Sequence, residues 1–403
     1  MRVVSLFGTV LLAALPACAT ILGISEGNPE PNVLEDDPGR SGDGTVTPGQ
    51  GSTSTADGGT PVLDACAPCP GESMCTDLNT NARNCGRCGH DCRGSKCTLG
   101  ACEPTVIASG QENPVDIAID GQRVYWVNNG SAANQFTDGA ARYCTKSDCT
   151  STSIVSTSAT APTGVATDGA SMFYTTAAGG GSVMTCPNGN CGSPVTLASN
   201  QANVFGLAVD GSSVIFSLRS VGGSPASIRY VPKAGGPVAT FVNAPGFLDA
   251  TFLSVHQKSS RVYFTQTAQG LIGRCNTNGT CMENGAFASI GTTAAPTGVT
   301  FDGTRAYYTQ GTVIGSVTPG SSDFRMFATD AAAHSVVTDG DEIYWSQNDG
   351  SIIACPKGAT CAPDKRLVLA RSQLNPTRLV VDKEFVYWVN SWPNGGAVVK
   401  VPR

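Results

Sequence analysis

Histidine is scarce in this chain: there are three in 403 residues, His90, His256 and His334. No Ser/His/Asp trio and no histidine-rich metal motif forms around them. Charge is sparse too, at 14% Asp, Glu, Lys and Arg with a net of −6, so there is no basic footprint for nucleic acid. No apolar run is long enough to span a bilayer comfortably as a helix. Sialidase-type Ser-x-Asp-x-Gly-x-x-Trp boxes are missing. These gaps exclude most motif-bearing enzymes, nucleic-acid binders and membrane-spanning proteins. They leave open a carboxylate-based glycan hydrolase or lyase, whose acid pair needs no sequence signature.

What is abundant is cysteine (17), glycine (48) and proline (24), the composition of an exported, turn-rich β protein. The first residues agree. Arg2 supplies a short positive region and Val3 to Leu15 an apolar one, so residues 1–17 read as a signal peptide. The segment closes on Leu15-Pro16-Ala17-Cys18, which resembles a bacterial lipobox, although Pro16 departs from the usual residue there. The resemblance implies cleavage before Cys18 and lipidation of that cysteine. It also implies outer-membrane sorting, because Ala19 stands where an aspartate would retain the protein at the inner membrane. The alternative is ordinary signal cleavage with Cys18 as a spare thiol. Setting Cys18 aside leaves an even sixteen cysteines, which can all pair. Residues 18–64 then form a lipidated N-terminus and linker. The Gly-, Pro-, Ser-, Thr- and Asp-rich run of 25–64 has no aromatic residue and cannot offset its chain entropy, so it is expected to be disordered. As a flexible coil it would reach about 35 Å.

Residues 65–102 form a cysteine-rich module containing Cys66, Cys69, Cys75, Cys85, Cys88, Cys92, Cys97 and Cys102, without a single Phe, Tyr or Trp. So short a segment needs covalent support. Cys66-x2-Cys69 and Cys85-x2-Cys88 match a zinc-ribbon spacing. The export signal and the even count favour four disulfides instead, with no metal, and 105 pairings are possible. The stretches around Cys75-Thr76-Asp77 and Asn84-Cys85-Gly86-Arg87-Cys88-Gly89-His90-Asp91-Cys92 resemble small modules of secreted Gram-negative bacterial proteins. That likeness implies no activity. A stiff spacer, with His90 a solvated turn residue, is the expectation.

Residues 103–403 carry a repeat. Asp120-Gly121 precedes Val124-Tyr125-Trp126, and Asp168-Gly169 precedes Met172-Phe173-Tyr174. The pattern returns at Asp210, Asp302, Asp339 and Asp382, with a worn copy at Lys258-Ser259-Ser260-Arg261-Val262-Tyr263-Phe264. Seven copies about 37 to 48 residues apart have the period of a β-propeller blade, not of a helical solenoid. The predicted fold is all-β: a seven-bladed propeller, with six blades as the runner-up. Each blade reads as strand a, an Asp-Gly turn, strand b, strand c, a tight turn and strand d. Cys144/Cys149, Cys186/Cys191, Cys275/Cys281 and Cys355/Cys361 each flank a c–d turn and are expected to staple it, at about 2 kcal/mol apiece. The last copy stops after strand c at Val398 to Arg403. Residues 104–111 match the d strands of other copies, so this N-terminal strand should close the ring and cover an exposed edge. The Tyr-Trp-Val and Tyr-Phe-Thr strands resemble the YWTD and NHL classes of propeller repeat, which are mostly six-bladed and mostly bind proteins.

The recurring aspartates could be turn caps, calcium ligands or catalytic acids; their common turn context favours caps. Tyr125, Trp126, Tyr344, Trp345, Tyr387 and Trp388 could form a sugar platform, but their place on strand b favours packing between blades. Binding should fall at the channel mouth, where strand a begins. The mouth positions read as Asp116, Gly164, Gly206, Gly298, Ser335 and Arg378, with the glycines leaving room. Asp116 and Arg378 become neighbours on closure, as a salt bridge or as a ligand clamp. The function expected is a monomeric cell-envelope lipoprotein, bound to the outer membrane by its lipid and facing the periplasm or the surface. Its propeller binds a protein or glycan ligand without catalysis, cofactor or nucleic acid. The alternative is a glycan-processing enzyme.

Overall fold

Alternation of apolar and polar residues in runs of four to seven, broken by Gly, Asn and Pro, gives short antiparallel strands. In the computed structural model these assemble into seven four-stranded sheets, each in the order a–b–c–d, arranged as a seven-bladed β-propeller. The structure describes residues 67–71, 75–150, 155–220, 225–242, 249–277, 281–287, 295–321, 323–358, 360–393 and 395–403. The signal peptide, Cys18, the linker and Cys66 lie outside the described residues, as do the side chains of Cys75 and Cys281. No helix among the described residues is long and apolar enough to cross a membrane.

Closure runs through the N-terminal strand. Thr105–Gln111 pairs with Gly396–Pro402, with Ala108 opposite Val398 and Val106 opposite Val399. It is strand d of blade 7. Gln111 then reaches into blade 1, where its Oε1 accepts from Trp126 Nε1 (2.8 Å), Asn128 Nδ2 (3.0 Å) and Arg142 (3.1 Å). Gln201 accepts from Arg229 of blade 3 in the same way. This glutamine at the end of strand d brackets one blade to the next.

The a–b turns repeat almost atom for atom. In six blades Asp120, Asp168, Asp210, Asp302, Asp339 and Asp382 each use Oδ1 to accept the backbone N–H groups two and three residues on, at 2.6–3.1 Å. Four of them take the tyrosine hydroxyl of strand b on Oδ2: Tyr125, Tyr307, Tyr344 and Tyr387. Three hold a cation from a neighbouring blade: Lys146 on Asp382, Lys233 on Asp168, and Arg403 on Asp339. Every donor on these carboxylates belongs to the fold, so they are turn caps that also join blades. In the worn fourth blade His256 Nδ1 accepts from Ser259 N instead. The strand b aromatics are interior: Tyr125, Trp126, Tyr344, Trp345, Tyr387 and Trp388 are at most 1% exposed. They pack between blades and offer no platform.

Disulfides join Cys144 to Cys149, Cys186 to Cys191 and Cys355 to Cys361 across c–d turns. Cys275 is also bonded, and the backbone register sets it opposite Cys281. In the cysteine-rich module the pairs are Cys69–Cys88, Cys85–Cys97 and Cys92–Cys102. The zinc-ribbon alternative fails on this pairing, since Cys69, Cys85 and Cys88 are spent in two different bonds. Three buried sulfurs, of Cys85, Cys92 and Cys102, lie within 4.8 Å of one another, but all belong to disulfides.

The module is not a free-standing spacer. Cys85, Cys92, Cys97 and Cys102 share one apolar cluster with Ile352, Leu367 and Leu369 of blade 6 and Val386, Trp388 and Val401 of blade 7. A segment without aromatics thus completes its core with the propeller's. Arg87 pairs with Glu342, which opens strand b of blade 6, and Arg93 with Glu384 on the a–b turn of blade 7. A Cβ on Gly86 would meet Gly100 O at 2.3 Å and Leu367 Cδ1 at 2.7 Å, so the approach demands glycine. His90 corrects the expectation of a solvated residue. It is 2% exposed, with Nδ1 2.7 Å from Cys85 O and Nε2 3.3 Å from Pro402 O.

Candidate functional site at the channel mouth

All seven a strands line the central channel, leaving a cavity of about 190 Å³. One rung near its mouth holds Asp116, Gly164, Gly206, Phe252, Gly298, Ser335 and Arg378. Phe252, from the worn blade, is the member that the repeat did not reveal. The glycines do not leave room for a ligand. A Cβ at Gly206 would lie 2.6 Å from Thr251 O, and at Gly164 3.1 Å from the Leu207 side chain. They let neighbouring a strands approach each other.

The structure brings Asp116 and Arg378 together across the closure. Arg378 Nε lies 3.4 Å from Asp116 Oδ1. The carboxylate also accepts the N–H of Ile117 (3.0 Å) and of Val165 in blade 2 (2.9 Å). Burial pushes the Asp116 carboxyl above its usual range, and Arg378 with the two N–H groups pulls it back. Burial likewise lowers the guanidinium's affinity for its proton, which Asp116 restores. Ser335 plays a smaller part of the same kind, accepting from Leu379 N at 3.2 Å.

Arg378 does more than close the ring. Its guanidinium lies 4.1 Å from the ring centroid of Phe252, a residue of blade 4 on the far side of the channel. Phe252 meets Phe205 edge-to-face at 6.4 Å, and Arg219 lies 3.6 Å over Phe205. Two arginines thus flank two phenylalanines around the mouth. Cation–π contact holds each guanidinium plane while leaving its edge for hydrogen bonding. The Arg378 side chain keeps 21% of its surface open and lines the channel cavity.

The histidines serve elsewhere. His90 is in the module interface and His256 caps a turn. His334 sits on strand a of blade 6 beside Asn348, and burial lowers its pKa, so it is neutral near pH 7.

Known proteins illuminate the fold alone. Neither a protein-family pattern nor a curated protein sequence matches the chain. Among solved structures it is similar to a catalytically inactive histidine-to-alanine form of virginiamycin B lyase from Staphylococcus aureus, with quinupristin. The TM-score is 0.58 at 13% identity, over 75% of this chain and 98% of that one. A streptogramin B lyase gives 0.56 at 13%, over 74% and 97%. The computationally designed Ika8 protein gives 0.53 at 13%, over 74% and 98%. A designed protein and two lyases share this architecture, so the fold does not choose a function.

Proposed function

We propose that the protein is a cell-envelope lipoprotein of a Gram-negative bacterium, anchored at Cys18 in the outer membrane, whose propeller binds an anionic group of an envelope ligand without transforming it. One observation carries the binding reading: Arg378 lines the channel with its guanidinium held over Phe252. The channel carboxylate is unsuited to acid–base work, because Asp116 already holds two N–H groups and a guanidinium. Two acyl chains or more would bury enough CH₂ groups, at about 0.8 kcal/mol each, to hold the protein at the membrane.

The test titrates the protein calorimetrically with polygalacturonate, an acidic peptide and a neutral glucan. An anionic probe should bind, more weakly as salt rises. Arg378→Lys, which keeps the charge beside Asp116 but loses the planar fork, should weaken binding at least tenfold. Equal binding by the variant, or no anion binding at low salt, defeats the reading. For the anchor, Cys18→Ala should lose labelled palmitate and leave the membrane fraction. The second reading is a lyase. Two structural neighbours are lyases, one of them inactive as a histidine variant, and His334 is one of two histidines on this chain's described a strands, His256 being the other. Turnover of an acidic polysaccharide that disappears in His334→Ala would establish it.

A further inference from the structure

Four cysteines of the module have a second way to pair. Cys85 is bonded to Cys97 and Cys92 to Cys102. The two bonds pack sulfur against sulfur: Sγ of Cys85, Cys92 and Cys102 all lie within 4.8 Å of one another. Cys85 and Cys92 are therefore near enough to bond to each other after a small shift. So are the other two. Cys97–Thr98 and Ala101–Cys102 form a hairpin with Cys97 directly opposite Cys102. Its two-residue turn, Leu99-Gly100, takes positive φ at both positions, 52° and 72°. Beyond the cysteines, Glu103 N donates to Lys96 O at 2.8 Å. Hydrogen-bonded and non-bonded pairs alternate along such a ladder, so Cys97 and Cys102 hold a non-bonded position, where Cα atoms approach to about 4.5 Å. That separation is one a disulfide bridges.

The two pairings differ in what they tie down. Only Glu103 and Pro104 separate Cys102 from the strand that closes the ring, Thr105–Gln111. In the observed pairing Cys92–Cys102 fastens that approach to the loop 85–92, which is seated on the propeller. His90 Nε2 of this loop lies 3.3 Å from Pro402 O, at the end of strand c of blade 7, and Cys85 and Cys92 share an apolar cluster with Val401. In the alternative pairing Cys85–Cys92 closes the loop on itself and Cys97–Cys102 closes the hairpin on itself. No covalent bond beyond the main chain then joins the seated loop to the closing strand. The c–d staples have no such reach: Cys144–Cys149, Cys186–Cys191 and Cys355–Cys361 span five or six residues within one blade.

We propose that the module is a disulfide switch worked by a small external thiol, which exchanges Cys85–Cys97 and Cys92–Cys102 for Cys85–Cys92 and Cys97–Cys102 and so unfastens the ring-closing strand. The proposal does not depend on the anion reading of the channel. The exchange balances without net oxidation. The external thiolate attacks Sγ of Cys97, the least buried of the four residues at 8% exposed against 0–1%, and Cys85 leaves as a thiolate. Cys85 attacks Sγ of Cys92 and expels Cys102. Cys102 attacks Sγ of Cys97 and returns the external thiolate. Three S–S bonds break, three form, and no electron is gained or lost. His90 Nδ1 lies 3.9 Å from Cys102 Sγ, where an N–H group favours departure of that sulfur as a thiolate.

The experiment incubates the full protein with reduced glutathione at pH 8, traps thiols with N-ethylmaleimide and maps tryptic peptides without reduction. Cleavage after Arg87, Arg93 and Lys96 puts Cys85, Cys92 and the Cys97/Cys102 pair on separate peptides. In the starting protein the peptide beginning at Cys97 carries both of the others. The switch should release it with an internal disulfide and leave the Cys85 peptide joined to that of Cys92, with total free thiol unchanged. Without glutathione it should stay attached. The double variant Cys85→Ser, Cys92→Ser leaves Cys97 and Cys102 to each other. In it the protection of Thr105–Gln111 against hydrogen exchange should fall at least tenfold at fixed pH, and in Cys186→Ser, Cys191→Ser it should not change. Glutathione that leaves the map unaltered, or yields only free thiols, overturns the proposal. So does a double variant whose Cys97 and Cys102 stay unbonded, or whose closing strand keeps its full protection.

Discussion

The two faces of the propeller are built by opposite rules. The face carrying the a–b turns repeats one rung: an aspartate and its two backbone donors in six blades, joined by a tyrosine hydroxyl in four and by a cation from next door in three. The face carrying the channel mouth repeats far less. Its rung holds three glycines and four different side chains, and one of its contacts, Arg378 on Phe252, joins two blades across the axis. Repetition on one face supplies stability that no single blade could. Divergence on the other supplies a site that a symmetric ring would lack, since seven identical residues would offer no polarity across the channel.

Closure underlies both faces, so the largest effect should come from breaking it. A chain beginning at Pro114 loses the strand Thr105–Gln111, the ladder partner of Gly396–Pro402, and the Gln111 bracket to Trp126 and Arg142. It also loses the docked module. It should aggregate, or melt more than about 10 °C below the full protein, on the scale of a loss of several kcal/mol. Scanning calorimetry with gel filtration would show this. A truncation that melts with the parent would mean that the ring closes by another route.

Next in size is the repeating rung. Asp382→Ala removes the acceptor for Glu384 N, Phe385 N, Tyr387 Oη and Lys146 Nζ. Hydrogen bonds to a charged group contribute about 1.5–3 kcal/mol, and the buried hydroxyl of Tyr387 would be left unpaired. The expected loss is roughly 2–3 kcal/mol in urea unfolding, with Asp382→Asn intermediate and ligand binding unchanged. Arg378→Lys should invert that pattern, costing under about 1 kcal/mol of stability while binding falls tenfold. If the two variants behaved alike, the division between the faces would collapse.

That division also decides what could be read from the sequence. The blade count, the Asp-Gly turns, the closing strand and the short spacings within the hairpin cysteine pairs recur with a period, and a period is visible in one dimension. Asp116 and Arg378 were accessible by register, being equivalent positions in the first and last copies. Phe252 was not, because the fourth copy lacks the Asp-Gly turn that would have set its register. Phe205 and Arg219 had no repeat to mark them. The glycines of the mouth rung were legible as positions but not as contacts, since only the packing of adjacent a strands shows what a Cβ would strike. The module was misleading for a physical reason. Its own composition cannot make a core, which suggested a spacer, but the missing apolar partners are Leu367, Leu369 and Trp388 of the propeller.

The smallest effect expected is a pH dependence where the module meets the propeller base. His90 is buried between Cys85 O and Pro402 O, and burial lowers its pKa from the ordinary value near 6.5. The nearby Arg87 charge adds to the shift, and the two carbonyls and Glu342 oppose it. The folded state therefore binds this proton less readily than the unfolded chain does. The resulting stability is fully present above about pH 6.5 and declines as pH falls below that value. Acidification from pH 8 to pH 5.5 should lower the protection of residues 85–102, measured as exchange relative to the intrinsic rate at each pH, more than that of the strands of blades 2 and 3. In His90→Gln, which keeps an N–H donor but cannot take up a proton in this range, the protection of residues 85–102 should be the same at both pH values. If that variant keeps the full pH response, the buried imidazole would be a packing element alone.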